Sequence, residues 1–437
     1  MRYSLEQLRS ANARYGMFHA MADTVEGDFQ FSAKDNLTSK GMETCAGSRI
    51  LEGYVPAFDA TAISKIKAAG GTLVGKTNMD EFGFGTFSAN SGFEIPRNPY
   101  DTDRACGGSS GGSACAAAVF EGHVSLGVST GGSICCPASF CGVYGIAPTY
   151  GRVSRYGLID YGNSLDKIGP ISADAKDLRK FTYMIAGKDP KDPTSCVQPD
   201  GFGEDRPVRR VAVPKEGVEG LSQDVADAFE KALSKLDSLG IETETVDMPT
   251  LKYAMPAYYV LATSEASTNL ARYVGMRYGR QDGDLSLKFD DYFSDVRSRC
   301  FGDEAKRRIL LGTYTRMAGF RDRYYAKALQ VRQAIIADYK RVFSDFDAVL
   351  APTMPFVAPK FEDISKMSAL DSYKADYLTV PANIAGTPHM SVPCGYDPDG
   401  MPIGMQFVTD HWNENLLFST AELWQENFTA RRPEVVM

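Results

Sequence analysis

Histidine is scarce in this chain, with four copies in 437 residues, and tryptophan is scarcer, with two. A nucleophile that relies on an imidazole base therefore has few places to form. No apolar run approaches the roughly 18–20 residues a membrane-spanning helix needs. A G-x-x-x-x-G-K-[ST] segment is missing too, which argues against nucleotide-dependent activation by a phosphate loop here. Positive charge is in deficit: 47 Lys and Arg against 55 Asp and Glu leave a net charge of −8. That balance disfavours direct, charge-driven contact with nucleic acid. The nine cysteines are an odd count with no spaced framework. The opening MRYSLEQLRSANARYG is polar with a helical period, unlike a secretory signal. Reduced thiols in a cytoplasm are the expectation.

What the chain does have is three clusters: Lys34-Asp35-Asn36, then Gly107-Gly-Ser109-Ser-Gly-Gly-Ser113, then Ser129-Thr-Gly-Gly-Ser133. A serine hydroxyl is a poor nucleophile at neutral pH and needs a base within hydrogen-bond reach. Flanking glycines let the backbone approach a substrate and turn its N–H groups inward. Lysine can be that base only when neutral, which demands burial or a cationic neighbour. A flexible linker would also read GGSSGGS, but an Ala-Val helix former, Ala114 to Phe120, follows at once.

Strand and helix signals alternate through the first half. Ala60 to Ala69 has helical period, Gly71 to Gly75 reads as a buried strand, Ser113 to Glu121 as helix and His123 to Val128 as strand. The Thr130-Gly-Gly turn then delivers Ser133 to a helical stretch interrupted by Pro137. Such a strand–turn–helix unit aims N–H groups and positive helix-end potential at one spot, a natural oxyanion site. Residues 187–210, rich in Pro, Gly and Asp, read as a surface loop. Beyond it, 211–213 and 241–246 read as strands; Val225, Phe229, Leu233, Leu236 and Leu239 mark a helix stopped by Gly240. A basic helical region covers 303–343, and 347–351 and 390–392 are strand candidates. Tyr396 to Met401 is a turn into Pro402 to Val408, and 413–427 is a closing helix. This pattern predicts one α/β domain over 1–437, with a mixed sheet covered by helices. Its first 30 residues read as a short helical segment.

Two other chemistries compete. Gly127-Val-Ser129-Thr-Gly131 fits the G-x-S-x-G elbow of α/β-hydrolases, with His389 or His411 as base. Neither histidine sits in a suggestive context, and His389 in Thr387-Pro-His-Met reads as a packed, structural residue. Cys135, Cys136 and Cys141 lack the second pair of a metal site and read as buried thiols on a helix. No metal is expected.

Over nearly its whole length the chain resembles the amidase-signature family. The resemblance rests on AKDNLTSKGMETCAGSRIL, GKTNMDEFGFG, GGSSGGSA, the stretch from TGGSI to GRVSRYGL, and PANIAG with PIGMQF. FGDEAKRRILLGTY, at 301–314, and 381–395 are similar to the family's tRNA-amidotransferase branch. The resemblance implies a central mixed sheet with helices on both faces. It implies Lys34 as catalytic base, Ser109 as bridging serine, Ser133 as nucleophile, and Thr130, Gly131 and Gly132 with Ser133 as the oxyanion loop. For that branch it implies glutamine held by Arg308, Asp376 and Tyr258. A zwitterionic glutamine does need a cation for its α-carboxylate and an anion for its α-ammonium.

The implied activity is hydrolysis of glutamine through an acyl-serine. Ammonia would pass to a B subunit that amidates Asp-tRNA(Asn) or Glu-tRNA(Gln) using ATP and Mg bound there, with a small C subunit completing a heterotrimer. Transfer RNA would be handled mainly by the partner. A free-standing amidase on another amide, or a non-catalytic scaffold, are the alternatives; Arg308 with Asp376, and the intact Lys-Ser-Ser set, weigh against them. Four departures stand out. Ser129 replaces the family's usual Asp, Cys135 its Arg and Lys167 its common Gln, and the region before Lys34 is short. The first two read as a buried ion pair lost as a unit, which costs less than losing one partner.

Overall fold

In a computed structural model, which describes residues 2–199 and 201–435, eleven strands form one mixed sheet. They are β1 (Phe18–Met21), β2 (Phe29–Lys34), β3 (Gly71–Thr77), β4 (Val124–Ser129), β5 (Tyr144–Ala147), β6 (Lys167–Ser172), β7 (Arg210–Pro214), β8 (Glu242–Val246), β9 (Ala348–Pro352), β10 (His389–Tyr396) and β11 (Pro402–Thr409). Their order is β1-β3-β2-β4-β6-β5-β10-β11-β9-β7-β8. The β2 strand runs parallel to both β3 and β4, and β7 runs parallel to β8 and β9; the remaining pairs are antiparallel.

Both faces of the sheet are covered. Ala348 and Leu350 of β9 pack into one apolar cluster and Val349, between them, into another. Likewise Val124, Leu126 and Val128 pack with Ile63 and Ile66 of the helix Thr61–Ala68 and with Phe181 of the helix Ala175–Ile185. The helix Gly111–Val119 lies in a separate cluster with Ile134 and Ile171. Alternation along a strand places neighbours on opposite faces, so each strand is anchored twice. None of the described helices is long and apolar enough to cross a membrane.

Three sequence readings need correction. The first 30 residues are helical only over Leu5–Tyr15, closed by a Ser4–Gln7 capping box and by Gly16 at φ 59°. Phe18–Met21 is instead an edge strand paired to β3. The basic region 303–343 is two helices, Asp303–Arg316 and Tyr325–Phe343, broken where Met317 turns extended and Gly319 adopts φ 85°. The helix Ala254–Asn269 is absent from the sequence reading because it is buried on most sides and shows no amphipathic stripe. Among the described residues, 187–209 carry no helix or strand. The stretch is still pinned down, since Asp189 accepts hydrogen bonds from Thr61 Oγ1 and Ser154 Oγ.

Candidate active site

Lys34 is the last residue of β2 and lies between two parallel neighbours, so its side chain is enclosed; 1% of it is exposed. Its Nζ donates to Ser109 Oγ at 2.7 Å and to the Val128 carbonyl at 3.1 Å. Burial lowers its pKa to about 7, overcoming the fields of Asp80 and Asp166, which favour the charged form. Lys34 is thus poised to be a free amine near neutrality, as a general base must be.

The three serines of the glycine-rich loop divide the work. Ser109 alone meets Lys34. Ser110 Oγ ties the loop to β4, donating to the Val128 carbonyl at 3.2 Å and accepting the Val128 N–H at 3.3 Å. Ser113 Oγ bonds the Leu126 carbonyl at 3.0 Å and Thr77 Oγ1 at 2.7 Å. Together they hold the start of the helix Gly111–Val119 against the sheet.

Residues 130–133 leave β4 and lead into the short helix Cys135–Phe140. Thr130 is fixed from two sides: its Oγ1 donates to Asp166 Oδ1 at 2.6 Å, and Asn383 Nδ2 donates to its carbonyl. Asp166 in turn accepts the N–H groups of Tyr161 and Gly162 at 2.9 and 3.0 Å. A Cβ on Gly131 would come within 2.9 Å of the Tyr258 ring, and one on Gly132 would overlap Thr379. Glycine is required there by close approach. Ser133 is 7% exposed, and its Oγ makes no hydrogen bond within the described residues, to Ser109 included.

The competing elbow is not assembled. Ser129 Oγ is buried with no partner. His389 is fully buried, with Nδ1 3.2 Å from the Thr387 carbonyl and 3.4 Å from Lys167 Nζ; burial holds it neutral. His411 is only 3.2 Å from Asp410, its chain neighbour. Cys135, Cys136 and Cys141 are buried thiols, as expected. The Cys135 Sγ rests against the carbonyls of Gly145 and His389 at 3.7 and 4.0 Å. Lys167 lies opposite Ser129 across β4 and β6, and its Nζ donates to the Thr387 carbonyl at 2.9 Å. Burial lowers its pKa to about 7. A buried amine from β6 therefore stands beside Ser129 and Cys135.

Arg308 is 3% exposed despite its basic helix. Its guanidinium carbon lies 5.1–5.5 Å from the ring centroids of Phe84, Tyr161, Tyr259 and Tyr373, an aromatic box suited to a cation. Nε donates to Glu304 at 2.7 Å and Nη1 to Tyr161 Oη at 2.5 Å, while Nη2 makes no hydrogen bond among the described residues. Asp376 accepts from Thr86 Oγ1 at 2.9 Å and Tyr259 Oη at 3.3 Å through one oxygen, Oδ2. Burial pushes its carboxyl up to about 7, against the Thr86 hydrogen bond and the field of Arg308. One guanidinium nitrogen and one carboxylate oxygen are thus uncommitted.

The helix Ala254–Asn269 brings two tyrosines, Tyr258 and Tyr259, to the site. Tyr258 lies against Gly131 of the loop and within the fields of Arg308 and Asp376, while Tyr259 donates to Asp376 and faces Arg308. Tyr161 carries no signal in the sequence. Its ring lies beside Gly83, which also borders Ser109, and its hydroxyl binds Arg308, so it links the two halves of the site. Only Glu304 left a readable signal, as an acid four residues before Arg308 on one helix.

Residues 30–418 match the amidase family model. A Picosynechococcus sp. protein, named as the A subunit of glutamyl-tRNA(Gln) amidotransferase, is 44% identical, over 90% of this chain and 82% of its own. Its counterpart by name from Halothermothrix orenii is 43% identical, over 92% and 85%. The crystal structure of the glutamyl-tRNA(Gln) amidotransferase A subunit from Thermotoga maritima superimposes with a TM-score of 0.83 at 36% identity, covering 98% of this chain and 92% of that one.

Proposed function

The chain belongs to the amidase family, and from that premise we propose that it is the glutamine-hydrolysing subunit of a tRNA-dependent amidotransferase. The observation that carries this is a buried lysine on a serine hydroxyl, Lys34 on Ser109 at 2.7 Å, in a site that also holds a caged Arg308 and a buried Asp376. The first pair is serine chemistry without histidine. The second is a matched set for an α-carboxylate and an α-ammonium.

Neutral Lys34 takes the proton of Ser109 as Ser109 takes that of Ser133. Oγ of Ser133 attacks the carboxamide carbon of glutamine, and Ser133 turns its hydroxyl toward Ser109 on substrate binding to close the relay. N–H groups at 130–133 receive the oxyanion, each worth about 3–4 kcal/mol in such sites. Collapse breaks the C–N bond, the relay returns its proton to the leaving nitrogen, and ammonia departs. Water, deprotonated through the same relay, attacks the acyl-serine and releases glutamate.

The relatives' names place such subunits in a multi-subunit enzyme that amidates glutamyl-tRNA(Gln). For this chain we place ATP, Mg and most tRNA contact in a partner B subunit, with a small C subunit completing a heterotrimer in the cytoplasm. The net charge of −8 accords with that division. Affinity purification from the native cell, followed by a glutamine-dependent amidation assay on mischarged tRNA, tests it. Co-purification of two further subunits with ATP-dependent amidation is expected; a lone chain that hydrolyses simple amides as well as glutamine contradicts it.

A further inference from the structure

Away from the serine relay, the first strand brings an unsatisfied ligand atom to a buried polar cluster. His19, on β1, has a side chain only 10% exposed, and its Nε2 is buried without a hydrogen-bond partner. That nitrogen faces Glu43 Oε2 at 3.6 Å, while Glu43 Oε1 lies 3.3 Å from Cys45 Sγ. One ligand-type atom from each of His19, Asp35 and Cys45 falls within 4.8 Å of the others. Phe93 packs on the imidazole with ring centroids 4.2 Å apart, which limits its freedom to turn away.

We propose that His19, Asp35, Glu43 and Cys45 form a binding site for a single zinc-class divalent cation. The donor set is one imidazole nitrogen, one sulfur and two carboxylates, which suits a borderline-soft, four-coordinate ion better than magnesium or calcium. Zinc bond lengths of about 2.0 Å to nitrogen or oxygen and about 2.3 Å to sulfur imply ligand–ligand edges of about 3.3–3.7 Å. The His19 Nε2–Glu43 Oε2 spacing already has that size, while Cys45 Sγ meets the other Glu43 oxygen, Oε1, at 3.3 Å. The ligand atoms of His19, Asp35 and Cys45, now within 4.8 Å of one another, must close by up to about 1.5 Å to reach those edges.

Charge and protons balance. The Cys45 thiol is protonated as it stands, because burial and the neighbouring Asp35 and Glu43 push its pKa up. Binding forms a metal–sulfur bond and releases that proton to solvent. The thiolate and two carboxylates then face the dication, with Lys76 Nζ 3.3 Å from Asp35 Oδ1. A plain His–Glu contact would leave the imidazole nitrogen orphaned at 3.6 Å; a bound cation satisfies it. The cation would clamp β1 to the residue that follows Lys34, making the edge strand a metal-dependent brace for the base.

Cobalt(II) is the direct probe. Chelator-treated full-length protein should bind one Co²⁺ per chain, with a thiolate-to-metal charge-transfer band and the intense visible absorption of four-coordinate cobalt, both displaced by Zn²⁺. Cys45→Ser should abolish the charge-transfer band, and His19→Ala should weaken binding at least about tenfold. Circular dichroism shows whether each variant is folded, and Glu43→Gln, at a partly exposed position, serves if Cys45→Ser is not. Absence of stoichiometric binding overturns the proposal. So does a charge-transfer band that persists unchanged in folded His19→Ala and Glu43→Gln, since the exposed Cys196 would then be the thiolate.

Discussion

Lys34 Nζ lies 2.7 Å from Ser109 Oγ, and neither residue is more than 1% exposed. A lysine this enclosed is a cost to the fold that the chemistry recovers as a base near pH 7. With a folded pKa lowered to about 7, the native state binds fewer protons than the unfolded chain between about 7 and 10.4. The penalty is therefore full below about 7 and disappears as pH rises past the unfolded value. Lys34→Met should be inactive yet unfold at a higher temperature than wild type at pH 7, by an order of about 4 kcal/mol before any loss from the orphaned Ser109 hydroxyl. Calorimetry across pH checks it: the gap should shrink toward pH 10, and a gap that grows with pH contradicts the burial argument.

Glutaminase activity should also follow the site's own titrations. Neutral Lys34 and ionised Asp376 are both needed, and both have pKa values moved to about 7. On the acid side, log kcat/KM should therefore rise with a limiting slope of about two and level off above neutrality. Asp376→Asn removes one ionisation, so its residual activity should rise with a slope of about one. An unchanged slope would mean that Asp376 plays no charged role in substrate capture.

Specificity should reside in the aromatic box. Arg308→Ala or Asp376→Ala removes a contact made in ground and transition states alike, so KM for glutamine should rise about ten- to a hundredfold, with a smaller fall in kcat. Propionamide, which carries neither charge, should be turned over poorly by wild type and little affected by either change. Tyr259→Phe should raise KM for glutamine and Tyr258→Ala should instead lower kcat, since one hydroxyl reaches Asp376 and the other ring lies on the oxyanion loop. Equal losses on both substrates would make these residues part of the framework and favour a free-standing amidase.

The sequence carried the loops better than the pocket. Ser109 and Ser133 sit in glycine-rich runs whose composition advertises backbone approach, Lys34 stands in the Lys-Asp-Asn cluster upstream, and the strand–turn–helix alternation around the serines was readable from period alone. Tyr161, Tyr259 and Asn383 were not, because each lies far along the chain from what it touches and looks locally like an ordinary core residue. The helix Ala254–Asn269 failed for a related reason: buried on most sides, it has no apolar stripe. Even the break in 303–343 rests on Met317 and Gly319, which a helical pattern tolerates until their backbone angles are known.

Ser129 offers a control for the neighbouring nucleophile. Its hydroxyl is buried and unpartnered, so Ser129→Ala discards an unsatisfied group and should leave stability unchanged or raised by about 1 kcal/mol. Its glutaminase rate should stay within a few-fold of wild type. A large loss would mean that Ser129 takes part in the chemistry and would revive the elbow reading.

The identity of the acylated serine decides the account most directly. Rapid acid quench during glutamine turnover, then peptide-resolved mass spectrometry, locates the glutamyl ester. The adduct should sit on Ser133, be lost in Ser133→Ala and fail to form in Lys34→Met. An adduct on Ser129 or Ser109, or sustained hydrolysis by Ser133→Ala, would contradict the relay.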